Sequence, residues 1–260
     1  MPTVTTHATG TFCWPELSTS DPIAAKKFYS TLFGWQVKDT DMGPNGIYTI
    51  FTLGGNDVSA CYQQDEAQAK NGVPPNWGTY ISVENADAAV AKAKTLGGTV
   101  LMEPFDVMEH GRMAVITDPQ GATFCVWQAK THIGAQVYGE PNTLGWTQLN
   151  AKDPAKAKSF YTSLIGWKTQ DDDMGPQGTY TTWLKADGPA GGMMAMPSEA
   201  PAPSHWLPYF AVTSVDTTAQ KAGSLGAKTY VPPTDIPGTG RFAVLADPQG
   251  ATFAVVTFTK

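Results

Sequence analysis

The chain has 260 residues, 42% of them hydrophobic and 15% charged, with a net charge of −6 at pH 7. This composition excludes a disordered chain, and the acidic balance argues against a general nucleic-acid binder, which would show a basic stripe. No apolar run reaches the ~20 residues of a membrane-spanning helix, and no signal-peptide pattern opens the sequence. We therefore expect a cytoplasmic protein without nucleic-acid or membrane partners. The spacing of Cys13, Cys61 and Cys125 predicts no disulfide framework.

The first predicted unit has the order β-α-β-β-β. Residues 11–17 alternate as a strand, which predicts Phe12, Trp14 and Glu16 on one face. The next helix carries its own start and stop signals: Asp21 as N-cap, Pro22 at the first helical position, and Gly34 after the last turn. Further strands are predicted at 35–38, 48–53 and 58–62, before a polar stretch at 63–76.

The second predicted unit repeats this order. A strand at 78–83 precedes a helix that is capped by Asn85 and ends at Gly97. Strands follow at 99–102, 112–117 and 123–127. The last two flank an Asp-Pro-Gln-Gly sequence at 118–121, whose Pro and Gly favour a tight turn, so they are predicted to form a hairpin.

The second half of the chain repeats the first. The seven residues at 118–124 return unchanged at 247–253, and Trp14, Tyr29 and Gly34 have counterparts in Trp146, Tyr161 and Gly166. One such small sheet cannot cover its own apolar face, so the four units are expected to pair. We predict two domains, at 10–130 and 142–260. The pattern leaves open whether units pair within or between the halves.

The repeated units resemble the vicinal oxygen chelate superfamily, which includes glyoxalase I, bleomycin resistance proteins, fosfomycin-resistance enzymes and extradiol dioxygenases. The likeness rests on Asp21, Pro22, Phe28, Tyr29 and Gly34 in the first helix, and on Gly-Arg followed by Asp-Pro-x-Gly. Within the superfamily the chain looks most like the two-domain glyoxalase-like CFP-30B group. The resemblance implies an α+β fold in which tandem β-α-β-β-β units form two open barrels, each with a cavity. It identifies no activity, because this fold hosts unrelated chemistries.

The resemblance also implies where a metal would bind. The family's ligand positions on three strands correspond here to Trp14, Gly78 and Cys125 in the first half and to Trp146, Leu207 and Ala254 in the second. A fourth family position falls near Cys61 and Met193. A catalytic metal needs about three ligands, typically His and Glu. The side chains at the positions named do not provide such a set of ligands, so we predict no metal and no other cofactor.

Strand alternation predicts which side chains line the two cavities. These are Trp14, Tyr80, Cys125 and Trp127 in the first half, and Trp146, Gln148 and Tyr209 in the second. An aromatic lining is typical of small-molecule pockets. The alternative is that Trp and Tyr simply fill the space as core residues.

Glu16 is the candidate catalytic residue, and its counterpart is Gln148. If Glu16 faces an apolar cavity, desolvation raises its pKa and suits it to general base catalysis. The alternative is a rim carboxylate, in water or paired with a lysine. Cys125 is either a nucleophile or, because an apolar strand raises a thiol's pKa, a structural thiol.

The arginines Arg112 and Arg241 occupy matching places in the two halves. Each either joins a loop carboxylate to the turn carboxylate, Asp118 or Asp247, or binds an anionic ligand at the cavity mouth. His110 and His205 are unmatched between the halves, and we expect both to be surface or rim residues rather than catalytic bases.

Three functions remain open. The preferred one is a metal-independent protein that binds a small, partly aromatic molecule. The second is an enzyme, of lyase, isomerase or hydroxylase/dioxygenase-like type, acting through Glu16 or the cavity tyrosines. The third is a protein with closed cavities that acts through its surface. A monomer or homodimer is expected in each case.

Overall fold

The computed structural model describes residues 2–197, 199–200 and 202–259. The first half contains β1 (Phe12–Thr19), α1 (Pro22–Phe33), β2 (Gln36–Asp41), β3 (Ile47–Leu53), β4 (Asn56–Gln63), α2 (Glu66–Lys70), β5 (Asn76–Ser82), α3 (Ala86–Thr95), β6 (Thr99–Val107), β7 (Gly111–Thr117) and β8 (Thr123–Ala129). The second contains β9 (Leu144–Ala151), α4 (Pro154–Ile165), β10 (Lys168–Asp173), β11 (Thr179–Lys185), β12 (Gly188–Ala195), β13 (His205–Ala211), α5 (Val215–Ser224), β14 (Lys228–Ile236), β15 (Gly240–Ala246) and β16 (Thr252–Phe258). No helix in these ranges is long and apolar enough to cross a membrane.

Each half forms one eight-stranded mixed sheet. The strand order in the first is β2-β3-β4-β1-β5-β8-β7-β6, and the second repeats it as β10-β11-β12-β9-β13-β16-β15-β14. The antiparallel pair β1–β5 joins the two units of the first sheet, and β9–β13 does so in the second. The units therefore share a sheet within each half, and each sheet stays open between its edge strands.

The long first helices begin and end where their sequences predict. The Asp21 side chain accepts a hydrogen bond from the backbone N–H of Ala24 at 3.0 Å, and Gly34 takes a left-handed φ of 76°. Asp153 and Gly166 do the same for α4. The short helix α2 lies within the segment predicted as a polar stretch, and it is capped by Asp65.

The helix-covered faces of the two sheets pack against each other across the halves. The first unit shares a core with the fourth, and the second unit shares one with the third. The Tyr29 hydroxyl donates a hydrogen bond to Asp247 in the turn of the other half (2.9 Å), and Tyr161 donates to Asp118 (3.2 Å). Burial raises the pKa of both carboxyls. The repeated turn therefore anchors one half to the other.

A β-bulge corrects one predicted face of β1. The pairing of β1 with β5 shifts register between Phe12 and Trp14. Phe12 consequently packs in the core between the halves, while Cys13 and Trp14 both belong to the cluster on the concave face. The prediction that Phe12 shares a face with Trp14 is wrong, because the bulge adds one residue to the alternation.

Candidate functional site

The face of each sheet that is away from the helices carries a cluster of largely apolar and aromatic side chains, which we call the hollow of that half. The first hollow is lined by Trp14, Tyr48, Tyr80, Met113, Cys125 and Trp127. The second hollow is lined by Trp146, Leu207, Tyr209, Phe242, Val244 and Val256. The strand alternation thus brings the predicted residues of each half together, and Tyr48 is a lining residue that the sequence reading did not select.

Glu16 lies half-buried in the first hollow and is held by two tyrosines. The Tyr48 hydroxyl donates to Glu16 Oε1 and the Tyr80 hydroxyl to Oε2, each at 2.6 Å. Desolvation raises the pKa of Glu16, against the lowering effect of these two hydrogen bonds and of the nearby His132. The carboxyl is therefore paired with phenols rather than with a lysine.

This arrangement changes its hydrogen bonding when Glu16 gains a proton. The ionised carboxylate only accepts, so both tyrosine protons point at it. A protonated Glu16 must donate its own proton, and a neighbouring tyrosine oxygen can accept it. That tyrosine then has its O–H free for another acceptor. The cluster can therefore hold or release a proton and change what it offers to a ligand.

His132 closes one side of the first hollow from the segment that joins the halves. Its ring lies edge-on to Trp14, with centroids 4.9 Å apart, and its backbone carbonyl accepts from the indole N–H of Trp127 at 2.9 Å. Its Nδ1 accepts from the N–H of Gly134 (3.2 Å), which leaves the Nε2 of a neutral ring protonated, 3.7 Å from Asp57. His132 also lowers the pKa of Asp57. No sequence pattern points to His132, because it lies outside the repeat.

The second hollow has the tyrosines without the carboxylate. Gln148 replaces Glu16, and its amide donates to Asn150 Oδ1 at 2.9 Å. The Tyr180 oxygen accepts from the indole N–H of Trp146 at 2.8 Å. Tyr209 is 6% exposed, and its hydroxyl has no hydrogen-bond partner among the residues that the structure describes. Burial raises the pKa of this phenol.

A groove of about 600 Å³ opens on the second half. It is lined by Asn150, Met194, Ala195, Met196, Pro197 and His205. Asn150 Nδ2 and His205 Nε2 are 3.1 Å apart, so these two polar side chains are bonded to each other. His205 therefore lies at a groove, whereas His110 is on a surface turn beside Thr131.

The residues at the family's metal positions do not fit a metal. Trp14 and Gly78 offer no lone pair, and burial raises the pKa of the Cys125 thiol. Cys61 packs in the core between the halves instead of facing the hollow. Within the described ranges no three His, Cys, Asp or Glu residues are grouped to hold an ion. In the second half, the matching indole, isobutyl and methyl groups cannot coordinate either.

The two arginines lie on the helix side of their sheets. Arg112 Nε and Nη2 donate to Asp87 in α3 at 2.7 and 2.8 Å, and Arg241 binds Asp216 in α5 at 2.8 and 2.9 Å. A second carboxylate, Asp106 or Asp235, lies nearby in each case. The predicted pairing with the turn carboxylates is wrong, because those oxygens are taken by the turn backbone and by tyrosines of the opposite half. Neither arginine is placed to bind a ligand in a hollow.

Comparison with known proteins gives a consistent result. A family model described as Glyoxalase/Bleomycin resistance protein/Dioxygenase superfamily matches residues 7–126 and 143–255. The putative glyoxylase CFP32 of Mycobacterium tuberculosis (strain CDC 1551 / Oshkosh) is 42% identical over 257 residues, which cover 98% of each chain. The anthracycline biosynthesis protein DauV of Streptomyces sp. (strain C5) is 35% identical over 264 residues, covering 97% of this chain and 95% of that one.

Two solved structures show the same fold at low identity. The Mn(II)-bound glyoxalase from Novosphingobium aromaticivorans superposes with a TM-score of 0.65 at 18% identity, covering 96% of this chain and 83% of that one. The 2,3-dioxygenase LapB from Pseudomonas sp. KL28 gives a TM-score of 0.65 at 14% identity, covering 98% and 96%. At such identities the likeness concerns the fold alone.

Proposed function

The chain belongs to the Glyoxalase/Bleomycin resistance protein/Dioxygenase superfamily, and from this premise we propose that it is a metal-independent member that binds a small, partly aromatic molecule. The observation that carries the proposal is the donor set. Where the family resemblance places metal ligands, the hollows present indole, hydrogen, a protonated thiol and aliphatic groups. None of these offers the His or carboxylate ligands that a catalytic metal requires.

The lining of the hollows favours a ligand over a closed core. Tyr48, Trp146, Tyr180 and Phe242 are only partly buried, so aromatic surface stays open inside each concave sheet. Partly open aromatic walls with few polar groups are what small-molecule pockets present. Among the relatives, DauV is named for anthracycline biosynthesis, and anthracyclines contain fused aromatic rings. That name agrees with an aromatic ligand for this chain.

Metal analysis tests the first part of the proposal. Protein purified without chelator should contain less than about one tenth of an equivalent of manganese, iron, nickel or zinc. Adding these ions should leave its thermal unfolding unchanged, because a bound ion would stabilise the folded state. Stoichiometric metal in an elemental assay would contradict the proposal.

Ligand binding tests the second part. Trp14 and Trp146 lie in the two hollows, so their fluorescence should respond when aromatic compounds bind. A bound aromatic compound that leaves this fluorescence unchanged would place the site elsewhere.

A second candidate function is acid–base catalysis by Glu16, of isomerase or lyase type. It is favoured by the raised pKa of Glu16 inside the hollow. In such a step a substrate C–H or O–H gives its proton to the Glu16 carboxylate. The new carboxyl O–H then bonds the oxygen of Tyr48 or Tyr80, whose own O–H turns to the negative oxygen that develops on the substrate. The proton count balances without a cofactor.

Deuterium exchange tests this candidate without knowledge of the product. Aryl ketones and dicarbonyl compounds are incubated with the protein in D₂O, and loss of their α-proton signals is followed by NMR. Glu16→Gln should abolish any protein-dependent exchange, while Arg112→Lys, on the opposite face of the sheet, should keep it. Exchange that persists in Glu16→Gln would dismiss Glu16 as the base.

A further inference from the structure

Each hollow contains a matching pair of tyrosines. Only in the first hollow do both tyrosine hydroxyls donate to an acceptor within the described residues. Tyr48 and Tyr80 in the first hollow correspond to Tyr180 and Tyr209 in the second. In the first hollow both hydroxyls donate to one carboxylate, each at 2.6 Å. The first half therefore shows what such a pair binds, namely a carboxylate whose two oxygens each accept one hydrogen bond.

In the second hollow the residue at the carboxylate's position is engaged elsewhere. Gln148 donates to Asn150 Oδ1, Asn150 lies against His205 Nε2, and His205 Nδ1 is 3.0 Å from the carbonyl oxygen of Pro203. A neutral His205 with its proton on Nδ1 satisfies this chain in one direction. The amide of Gln148 is therefore held by its own strand and does not take the place of Glu16.

The tyrosine protons of the second hollow are consequently left without acceptors. The hydroxyl of Tyr209 has no hydrogen-bond partner in the described part of the chain, and the residue is 6% exposed. The Tyr180 oxygen accepts from Trp146, so its own proton remains to be given. The Tyr209 oxygen is not sealed in the core, so both hydroxyls can donate to a molecule bound in the hollow.

The second hollow lies beside an open groove. Tyr180 lies over Gly192, where any Cβ would collide with its hydroxyl; the first half has Ala60 at this place. Met194, which pairs with Tyr180 across β11 and β12, lines the groove of about 600 Å³. The groove therefore opens beside the strand pair that carries Tyr180.

We propose that the second hollow binds a planar molecule whose carbonyl, carboxylate or phenolate oxygen accepts from Tyr180 and Tyr209, as Glu16 does from Tyr48 and Tyr80. The ring of the ligand packs against Trp146 and Phe242. This inference rests on the proposed binding function and adds to it the location and the chemical class of the ligand.

Calorimetric titration of the full chain with three matched probes tests the inference. Benzoate and acetophenone carry an oxygen acceptor on a phenyl ring, and ethylbenzene does not. Ethylbenzene should bind at least about tenfold more weakly than the better of the other two. Tighter binding of benzoate assigns a carboxylate ligand, and tighter binding of acetophenone assigns a neutral carbonyl.

Two variants locate the binding. Tyr209→Phe removes a hydroxyl without protein partners, so it should fold normally, weaken the oxygen-bearing probes about tenfold and leave ethylbenzene unchanged. Gln148→Glu should weaken them similarly, by supplying an internal carboxylate to the tyrosine pair. Tyr230→Phe, on the exposed strand β14, is the matched control and should change nothing.

The possible outcomes separate this inference from the proposed function. If Tyr209→Phe and Gln148→Glu leave the affinity for the oxygen-bearing probes unchanged, the inference is overturned and the proposed function is not. Equal affinity for ethylbenzene and the oxygen-bearing probes also overturns it. Failure of all three probes to bind overturns both, and stoichiometric metal contradicts the metal-independent function whatever the probes do.

Discussion

The two hollows use the same strands, the same two tyrosine positions and the tryptophan of the first strand, although Val256 stands where the first hollow has Trp127. They differ in the residue that faces the tyrosine pair. Glu16 gives the first hollow a carboxylate that satisfies Tyr48 and Tyr80. Gln148 turns instead to Asn150, and Tyr209 stays without a partner. One hollow therefore contains its own acceptor, whereas the tyrosine donors of the other have no acceptor among the residues that the structure describes. The Glu-to-Gln difference therefore changes the hydrogen bonding of two matched tyrosine pairs.

Removing the internal carboxylate should make the first hollow resemble the second. In Glu16→Ala, Tyr48 and Tyr80 lose their acceptor, so a second molecule of benzoate should bind per chain. Calorimetric stoichiometry would rise from one site to two, a larger change than any affinity shift predicted here. A stoichiometry that stays at one would show that the two tyrosine pairs are not equivalent.

Deleting matched hydroxyls should affect stability unequally. Tyr80→Phe removes a charge-assisted hydrogen bond to Glu16 and should lower the free energy of unfolding by about 2 kcal/mol. Tyr209→Phe removes a hydroxyl that bonds to nothing in the described residues, and should cost nothing. Urea unfolding of the two variants measures the difference. Equal losses would mean that Tyr209 has an acceptor within the protein.

Glu16 should also give stability a dependence on pH that Gln148 does not. Its pKa is raised on folding, so the native state keeps a proton that the unfolded state has released. Stability then falls as pH rises from the ordinary carboxyl pKa through the folded one. Glu16→Gln should flatten this decline above about pH 4.5, and Gln148→Asn should not. Urea midpoints across that range are the measurement, and parallel curves for wild type and Glu16→Gln would refute the shift.

The smallest effect is expected from the arginines. Arg112 and Arg241 bind Asp87 and Asp216 on the helix-covered faces of the sheets. These ion pairs are partly exposed, and solvent weakens them. Arg112→Gln and Arg241→Gln should leave benzoate and acetophenone affinities unchanged in calorimetry. A marked loss for a carboxylate probe alone would restore them as anion-binding residues.

The sequence predicted the scaffold because its signals are local and repeated. Asp21, Pro22 and Gly34 fix one helix by their own backbone preferences, and the internal repeat predicts four units in pairs, although not which units pair. It did not predict the turn of Phe12 away from the hollow, because a bulge depends on the partner strand. Arg112 was misplaced for a similar reason, since its carboxylate partner comes from a helix packed in space.

The candidate site was predicted only as far as strand alternation reaches. Alternation placed Glu16, Tyr80 and Tyr209 on the concave faces, as the structure has them. The same rule, applied to the repeated strands β3 and β11, would have found Tyr48 and Tyr180. No pattern could show that Gln148 turns toward Asn150, because a side-chain rotamer is decided by its neighbours. The functional difference between the hollows therefore became visible only in three dimensions.

The reciprocal contacts of the two turns have a consequence for how this protein can be divided. Asp118 is bonded by Tyr161, and Asp247 by Tyr29, so each half supplies the partner that the other half's buried turn needs. Neither half is expected to fold alone. If the chain were cut at the connecting segment, each piece would expose an apolar surface and leave its buried turn carboxyl without the tyrosine partner. The helix-covered face of each sheet is thus fixed by its contact with the other half, whereas the face that carries the hollow can differ between the halves.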